Sequence, residues 1–176
     1  MRNARTVGRL GSRIAVVATL AATLAGGLVA VATSASAEVT YYEMQARHSG
    51  LCGYVNGGGV TDEYQLVQGL CLPYPNHLFH LQPSDDGHYR IVVASTGRCL
   101  DVVGASLSDR ARVKQHPCHG GFNQQWALYY TDSGYYQIVA RHSQKCLDVE
   151  GDKVSGYARI WQYTCDVGDN QQFRFV

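Results

Sequence analysis

The sequence predicts an all-β body built from three equivalent repeats, and three observations support this fold class. Two sets of three cysteines each recur with a spacing of 47 residues. Runs of β-branched and aromatic residues, which are typical of strands, recur with the same spacing. After residue 37, no stretch keeps the 3.6-residue apolar period of an amphipathic helix. About twelve short strands, four in each repeat, are therefore expected.

Residues 1–37 have the layout of a secretory signal peptide and are left out of the fold prediction. Four arginines lie in the first 13 residues, an apolar run follows from Ile14 to Val31, and small residues stand at Ala35 and Ala37. We predict cleavage before Glu38, which gives a secreted, extracellular mature chain of residues 38–176. An uncleaved membrane anchor is the alternative, because the apolar run is about 18 residues long.

Composition narrows the classes of function. Without the first 37 residues, the chain keeps 11 Lys+Arg against 14 Asp+Glu, a formal net charge of −3. A body with this balance lacks the basic surface of a nucleic-acid-binding protein, so no nucleic-acid partner is expected. Its length suits one domain with a real core, and after cleavage no membrane insertion of the mature chain is expected.

Three units of the chain, residues 41–82, 88–129 and 135–176, align without a gap. In each unit an apolar run beginning with tyrosine predicts the first strand, and a short segment starting at cysteine predicts the second. An alternating stretch such as 111–116 predicts the third strand, and the fourth is expected to end at Trp126 or its equivalents. Because Phe79, Trp126 and Phe173 occupy one equivalent position, we predict that they are core residues.

The six cysteines are typical of an oxidising compartment. Three pairings respect the repeat: within each unit, with the next unit, or with the previous one. Pairing within units closes the shortest loops, each of 19 residues, so it is the pairing that we predict. The predicted disulfides are Cys52–Cys71, Cys99–Cys118 and Cys146–Cys165. A zinc site is the alternative interpretation of the cysteines, but their spacing contains no C-x-x-C motif. The seven histidines share no metal-ligand motif either, so no metal and no cofactor are expected.

Two segments in the second unit resemble a known family. Cys-Leu-Asp-Val at 99–102 and Asn-Gln-Gln-Trp at 123–126 recur in the third unit as Cys-Leu-Asp-Val at 146–149 and Asn-Gln-Gln-Phe at 170–173. They are similar to the repeated motifs of the ricin B-type lectins and the related family-13 carbohydrate-binding modules, over residues 41–176. The resemblance implies a β-trefoil fold with pseudo-threefold symmetry, and a carbohydrate partner.

The resemblance also implies one shallow sugar pocket in each unit. There an Asp accepts hydrogen bonds from sugar hydroxyls, an aromatic ring stacks on the apolar face of the sugar, Asn adds a hydrogen bond, and Gln holds the pocket. In the third unit these residues are Asp148, Tyr163, Asn170 and Gln171, with Trp161 close to the stacking position. The third unit is the most complete, so it is the predicted principal site.

The other two units depart from this pattern. The second unit keeps the polar residues and has a smaller ring at the stacking position: Asp101, His116, Asn123 and Gln124. The first unit has Tyr54, Gly69 and His77 in place of the Asp, the ring and the Gln, so we expect its pocket not to bind. A structural role is the alternative for each Asp, since Asp at the end of a strand often bonds its own backbone. Three further glutamines, which recur with the same 47-residue spacing, are predicted to have a structural role: Gln68, Gln115 and Gln162.

No sequence feature predicts an enzyme. The chain has no G-x-S-x-G motif, and Asp101 and Asp148 belong to separate pockets, whereas glycoside hydrolysis needs two carboxylates about 5–10 Å apart. The resulting prediction is a secreted, non-catalytic lectin for a glycan or polysaccharide, of galactose or xylose type by family resemblance. A protein-binding trefoil such as a protease inhibitor, and a targeting subunit of a separately encoded toxin or hydrolase, are the alternatives.

Overall fold

Twelve strands and five short 3-10 turns are found in the computed structural model, which describes residues 38–62 and 64–176. The predicted signal peptide lies outside the described residues. The strands are β1 (Tyr42–Ala46), β2 (Cys52–Val55), β3 (Leu66–Gly69), β4 (Leu78–Pro83), β5 (Tyr89–Val93), β6 (Cys99–Val102), β7 (Ala111–His116), β8 (Trp126–Tyr130), β9 (Tyr136–Ala140), β10 (Cys146–Val149), β11 (Ile160–Tyr163) and β12 (Gln172–Phe175). The 3-10 turns are Asp85–Gly87, Val103–Ala105, Phe122–Gln124, Glu150–Asp152 and Asp169–Gln171. Each unit therefore holds four strands, as predicted.

Six of the strands form a closed antiparallel barrel. The ring runs β1–β4–β5–β8–β9–β12 and returns from β12 to β1. Each unit supplies its first and fourth strands to the ring, so that neighbouring units are joined by β4–β5, β8–β9 and β12–β1. Because each barrel strand pairs along both edges, closure leaves no barrel edge open to another chain.

The remaining six strands form three hairpins against this barrel. They are β2–β3, β6–β7 and β10–β11, and in each the leading strand also pairs with the first barrel strand of its unit. The hairpins touch one another through Trp161 opposite Arg112, Gln65 opposite Lys114, and Val67 opposite Arg159. A six-stranded barrel with three hairpins related by a threefold axis is the β-trefoil that the family resemblance implied.

The core is built from equivalent apolar residues of the three units. Phe79, Trp126 and Phe173 are fully buried, which confirms their predicted role. The predicted boundary of the fourth strand was wrong, because the aromatic residue lies at or near its start. In the second unit, β8 continues beyond Trp126 because it pairs with β9 of the next unit, from Trp126 opposite Ala140 to Tyr130 opposite Tyr136.

Three buried glutamines connect the units, which confirms the structural role that the repeat predicted. Gln68 donates to the carbonyls of Lys153 and Ser155 in the third unit. At the equivalent positions, Gln115 donates to the carbonyls of Gly59 and Thr61 in the first unit. Gln162 donates to the carbonyls of Ser106 and Ser108 in the second unit. Each unit is therefore bonded to the one before it in a cycle.

The three disulfides join cysteines of the same unit, Cys52–Cys71, Cys99–Cys118 and Cys146–Cys165, as predicted. Each one ties the start of a hairpin to the segment that follows the same hairpin. The loop beyond this second cysteine carries the polar residues of the predicted pocket, so the bridge holds the pocket's two halves together. Within the described residues, no helix is long and apolar enough to cross a membrane.

Candidate functional site

The carboxylate of Asp148 lies at the centre of the predicted site in the third unit. Asp148 is on β10 and is only 5% exposed. Its Oδ2 accepts hydrogen bonds from Asn170 Nδ2 at 3.0 Å and Gln171 Nε2 at 2.9 Å. Its Oδ1 accepts a hydrogen bond from Trp161 Nε1 at 2.8 Å. These donors fix the orientation of the carboxylate, and hydrogen bonds to an ionised group are strong.

Gln171 organises the loop around this carboxylate. It is fully buried, and its Nε2 also donates to the Thr164 carbonyl at 3.0 Å. Its Oε1 accepts from the backbone N–H of Asp166 at 2.9 Å. The side chain therefore connects β10 to the loop that follows β11. A fully buried side chain of this kind holds the pocket in shape, as the resemblance implied for the Gln of the pair.

An open depression of about 740 Å³ lies beside these groups. Asp148, Trp161, Tyr163 and Asn170 line it, so the structure brings together three of the four predicted residues of the third unit at one surface, with Gln171 beneath them. Trp161 and Tyr163 are half-buried on β11, which leaves part of each ring open to solvent. An aromatic surface beside a fixed carboxylate is an arrangement that can hold a sugar ring.

Two residues from other units complete the wall of the depression, and sequence reasoning missed both. Arg110 comes from the second unit, and its guanidinium carbon lies 5.7 Å from the centre of the Trp161 ring. His48 comes from the first unit, and its Nε2 is 3.0 Å from the Lys153 carbonyl. Reading the units one at a time could not find these residues. The recurrence of Arg-His-Ser at 47–49 and 141–143 was a signal, because His142 makes the equivalent contact with Ser106.

The second unit repeats the polar frame. Asp101 Oδ2 accepts hydrogen bonds from Asn123 Nδ2 and Gln124 Nε2, each at 2.9 Å. Gln124 also bonds the Pro117 carbonyl and the His119 N–H, as Gln171 does at the equivalent positions. The aromatic wall is different. His116 stands where the third unit has Tyr163, so the predicted residues are together but the stacking surface is smaller.

The first unit replaces the polar frame with aromatic packing. Tyr54 stands in the position of the Asp and stacks on His77, with the ring centres 4.4 Å apart and the planes at 6°. The ring also covers Gly69, where an added Cβ would lie 2.7 Å from Tyr54 Cε1. Burial lowers the pKa of His77, against a smaller opposing effect of Glu43, so the imidazole favours its neutral form.

Comparison with known proteins identifies the family. The ricin-type β-trefoil lectin domain-like family matches residues 30–116, 75–158 and 122–176, three overlapping stretches that together cover all three units. The chain therefore belongs to the ricin-type β-trefoil lectins, a family whose general activity is carbohydrate binding, and this membership favours a non-catalytic protein. No curated protein sequence matches the chain.

Solved structures similar to the chain include designed and natural trefoils. ThreeFoil, a designed threefold symmetric protein, is 43% identical with a TM-score of 0.75, over 77% of this chain and 97% of that one. An exo-β-1,3-galactanase from Clostridium thermocellum is 30% identical with a TM-score of 0.76, over 79% of this chain and 30% of that one. The hemolytic lectin CEL-III is 28% identical with a TM-score of 0.67, over 79% of this chain and 30% of that one. The chain thus spans about a third of the two natural proteins.

Proposed function

We propose that the mature chain is a secreted lectin that binds a glycan or polysaccharide without chemical turnover, chiefly through the pocket of the third unit. One observation carries the proposal: the Asp148 carboxylate is held in a fixed orientation at an open depression whose wall includes Trp161 and Tyr163. The layout of residues 1–37 and the three disulfides support secretion.

The proposed contacts follow from the chemistry of a sugar ring. Vicinal hydroxyls donate hydrogen bonds to the Asp148 carboxylate, whose charge strengthens those bonds. The apolar C–H face of the ring covers the exposed part of Tyr163, next to Trp161. Asn170 stands beside the carboxylate and offers a further polar contact. Because these donors and rings are already in place, the pocket loses little conformational entropy when the sugar binds.

A single shallow pocket of this kind binds weakly, and a dissociation constant near 1 mM corresponds to about −4 kcal/mol. The second unit keeps Asp101, Asn123 and Gln124 in the same frame, with His116 as a smaller platform. Two pockets on one rigid body gain avidity on a repeating polymer. We therefore propose a polysaccharide or a dense surface glycan as the partner, rather than a free monosaccharide.

A galactose-type polymer is the first ligand to test, because a similar structure is named as an exo-β-1,3-galactanase. Binding of residues 38–176 to immobilised β-1,3-galactan, to xylan and to cellulose would be compared by depletion or surface plasmon resonance. Tyr163→Ala removes the stacking surface without touching the hydrogen bonds of Asp148, and we expect it to weaken binding by at least about tenfold. Asp148→Asn should weaken binding by a similar or larger factor.

Matched variants in the other units serve as controls. Asp101→Asn should weaken binding less than Asp148→Asn, and Tyr54→Phe should leave binding unchanged, because Tyr54 does not line the third-unit depression and phenylalanine keeps its ring. Circular dichroism and the thermal midpoint would verify folding for each variant. Wild-type levels of binding by both Tyr163→Ala and Asp148→Asn would rule out the third-unit pocket as the site.

A targeting subunit of a hydrolase is a second candidate. It is favoured by the similarity of this chain to about a third of an exo-β-1,3-galactanase. Targeting uses the same sugar pockets and adds a protein partner, so it predicts co-purification with a hydrolase that survives addition of competing sugar. A protein-binding trefoil without lectin activity would instead retain its partner in Tyr163→Ala and show no polysaccharide binding in any form.

A further inference from the structure

The second unit brings two histidines against a buried carboxylate. Asp101, His116 and His119 each offer one ligand atom, and these three atoms lie within 4.8 Å of one another. His119 Nε2 is 3.4 Å from Asp101 Oδ2. Asp62 adds a further oxygen at the edge of the cluster, 3.6 Å from His116 Nε2. Nitrogen and oxygen donors converge here from β6, β7 and the loop after β7, which explains why no contiguous motif revealed them.

The two histidines are not part of the repeated framework. The third unit has Tyr163 and Asp166 at the positions of His116 and His119, and the first unit has Gly69 and Leu72. In the third unit, Asp166 Oδ1 accepts a hydrogen bond from the Gly168 N–H. His119 Nδ1 takes over this role by accepting from the Gly121 N–H at 2.9 Å. The turn therefore needs only an acceptor here, and an imidazole adds a second nitrogen that faces Asp101.

The surroundings of Asp101 resemble those of a metal ligand. Its side chain is 6% exposed, and Asn123 and Gln124 both donate to Oδ2, which fixes the orientation of the carboxylate. Such outer hydrogen bonds orient the ligands of protein metal sites. The histidine side chains are 38% and 43% exposed, so an ion can reach them from solvent and they have room to turn inward.

We propose that this cluster binds one divalent transition-metal ion, with Zn²⁺ as the best match, through Asp101, His116 and His119. Imidazole nitrogen and carboxylate oxygen are a donor set that Zn²⁺ prefers, and three protein ligands leave a fourth position for water. At zinc–ligand distances of about 2.0–2.1 Å, neighbouring ligand atoms lie roughly 3.3 Å apart, so the two exposed rings must move inward. This inference does not depend on the proposed sugar site in the third unit. It does give Asp101 and His116 a different ligand from the sugar proposed above for the second unit, and an ion bound there excludes a sugar from that pocket.

Metal binding has a specific consequence for the loop. A metal at His119 Nε2 requires the remaining ring proton to lie on Nδ1, and Nδ1 then cannot accept from the Gly121 N–H. The hydrogen bond between them must break, and the turn at 119–121 must adjust. The amide resonance of Gly121 should therefore shift when Zn²⁺ is added, while that of Gly168, its equivalent in the third unit, should not.

The test is a titration of residues 38–176, freed of metal by chelation, with Zn²⁺ by calorimetry and with Co²⁺ by visible absorption. We expect one ion per chain and the intense d–d bands of tetrahedral cobalt. His116→Tyr carries the residue that the third unit has at this position, and His119→Leu carries that of the first unit, so neither variant keeps an imidazole or a carboxylate there. Each should weaken Zn²⁺ binding by at least about 100-fold, more than loss of an outer-shell partner.

Control variants separate this site from other binding. His88→Gln removes a half-buried histidine outside the cluster and should bind Zn²⁺ like the wild type. Tyr163→Ala, which tests the sugar pocket, should also keep its zinc, so the two proposals can fail separately. Absence of Zn²⁺ binding at millimolar concentration, or undiminished binding in His116→Tyr, would overturn the inference. In either case the cluster would be a hydrogen-bonded pocket only.

Discussion

Single residues decide what each unit can do on a common backbone. The residue two positions after the first cysteine of each unit is Asp148 in the third unit, Asp101 in the second and Tyr54 in the first. The asparagine that bonds the neighbouring strand is retained in all three, since Asn76, Asn123 and Asn170 each donate to the equivalent carbonyl. The asparagine therefore has a structural role in every unit, and the residue after the cysteine sets the chemistry of the pocket.

Much of the third-unit site could be predicted at this scale. The family resemblance implies that Asp148, Asn170 and Gln171 share one pocket, and the structure places them in direct contact. The indole of Trp161 was expected only near the stacking position. Its hydrogen bond to Asp148 depends on a side-chain rotamer, which the sequence pattern does not determine.

His77 gives a prediction about pH. Burial lowers the pKa of His77, so the folded chain disfavours the imidazolium while the unfolded chain protonates at a pKa of about 6.5. This contribution to stability is fully present above about pH 6.5 and is lost as the pH falls below it. His77→Gln introduces the residue of the other two units, and it should make unfolding less sensitive to acid. Urea unfolding at about pH 7.5 and about pH 5 measures this difference.

The control for this prediction is a histidine that is less buried than His77. His88→Gln should leave the difference in unfolding free energy between the two pH values closer to that of the wild type than His77→Gln does. An identical difference in wild type and His77→Gln would show that His77 does not contribute to acid sensitivity.

At the scale of strands, the units share a pattern but fill the core differently. β5 and β6 pack Ile91 with Leu100, and β9 and β10 repeat the pair as Ile138 and Leu147. β1 and β2 have Met44 and Gly53 instead. An added Cβ on Gly53 would lie 2.7 Å from Met44 Cε and 3.3 Å from Ile160 Cδ1. The longer methionine side chain thus occupies the space that leucine fills elsewhere.

This exchange predicts a coupling between two strands. Gly53→Leu should destabilise the protein by about 1–3 kcal/mol, because leucine overpacks the space that Met44 occupies. Met44→Ile in the same chain should recover part of that loss, since it recreates the pair of the other units. A double-mutant cycle from urea unfolding gives the coupling energy. Additive effects of the two substitutions would contradict the proposed exchange of volume.

At the scale of the molecule, the repeat predicted the three units and their disulfides, but not the contacts between residues of different units. The depression beside Asp148 in the third unit has walls from the first and second units, through His48 and Arg110. Neither residue is close to Asp148 in the sequence. Pairing of β7 with β11 brings Arg110 to the pocket, and a contact with the Lys153 carbonyl brings His48 there. The proposed zinc cluster also includes a contact across units at its edge, since Asp62 of the first unit lies against His116 of the second. A periodic sequence pattern defines a unit well, whereas contacts across units require the folded topology.

The cycle of buried glutamines predicts how the whole molecule unfolds. Gln162 Nε2 donates to the Ser106 and Ser108 carbonyls of the second unit at 2.7 and 2.9 Å, and its Oε1 accepts from Ser143. Gln162→Leu removes these three partly buried hydrogen bonds, two of which join units, and this should destabilise the protein by about 1–3 kcal/mol. Because each unit is bonded to the next, the loss should lower one cooperative transition rather than release a single unit.

The two tryptophans allow this to be measured unit by unit, since Trp126 is in the second unit and Trp161 in the third. Forms of wild type and Gln162→Leu that keep one tryptophan, with phenylalanine in place of the other, would be unfolded by heat while the tryptophan fluorescence is recorded. Calorimetry of the same proteins would be run in parallel. Both probes should report one midpoint that falls by several degrees in Gln162→Leu. Gln82→Leu, a similar change at an exposed strand position, should leave the midpoint nearly unchanged. If the Trp161 signal melted before the Trp126 signal, the units would be folding independently, and a shared pocket wall such as that formed by Arg110 and Trp161 would open before the barrel does.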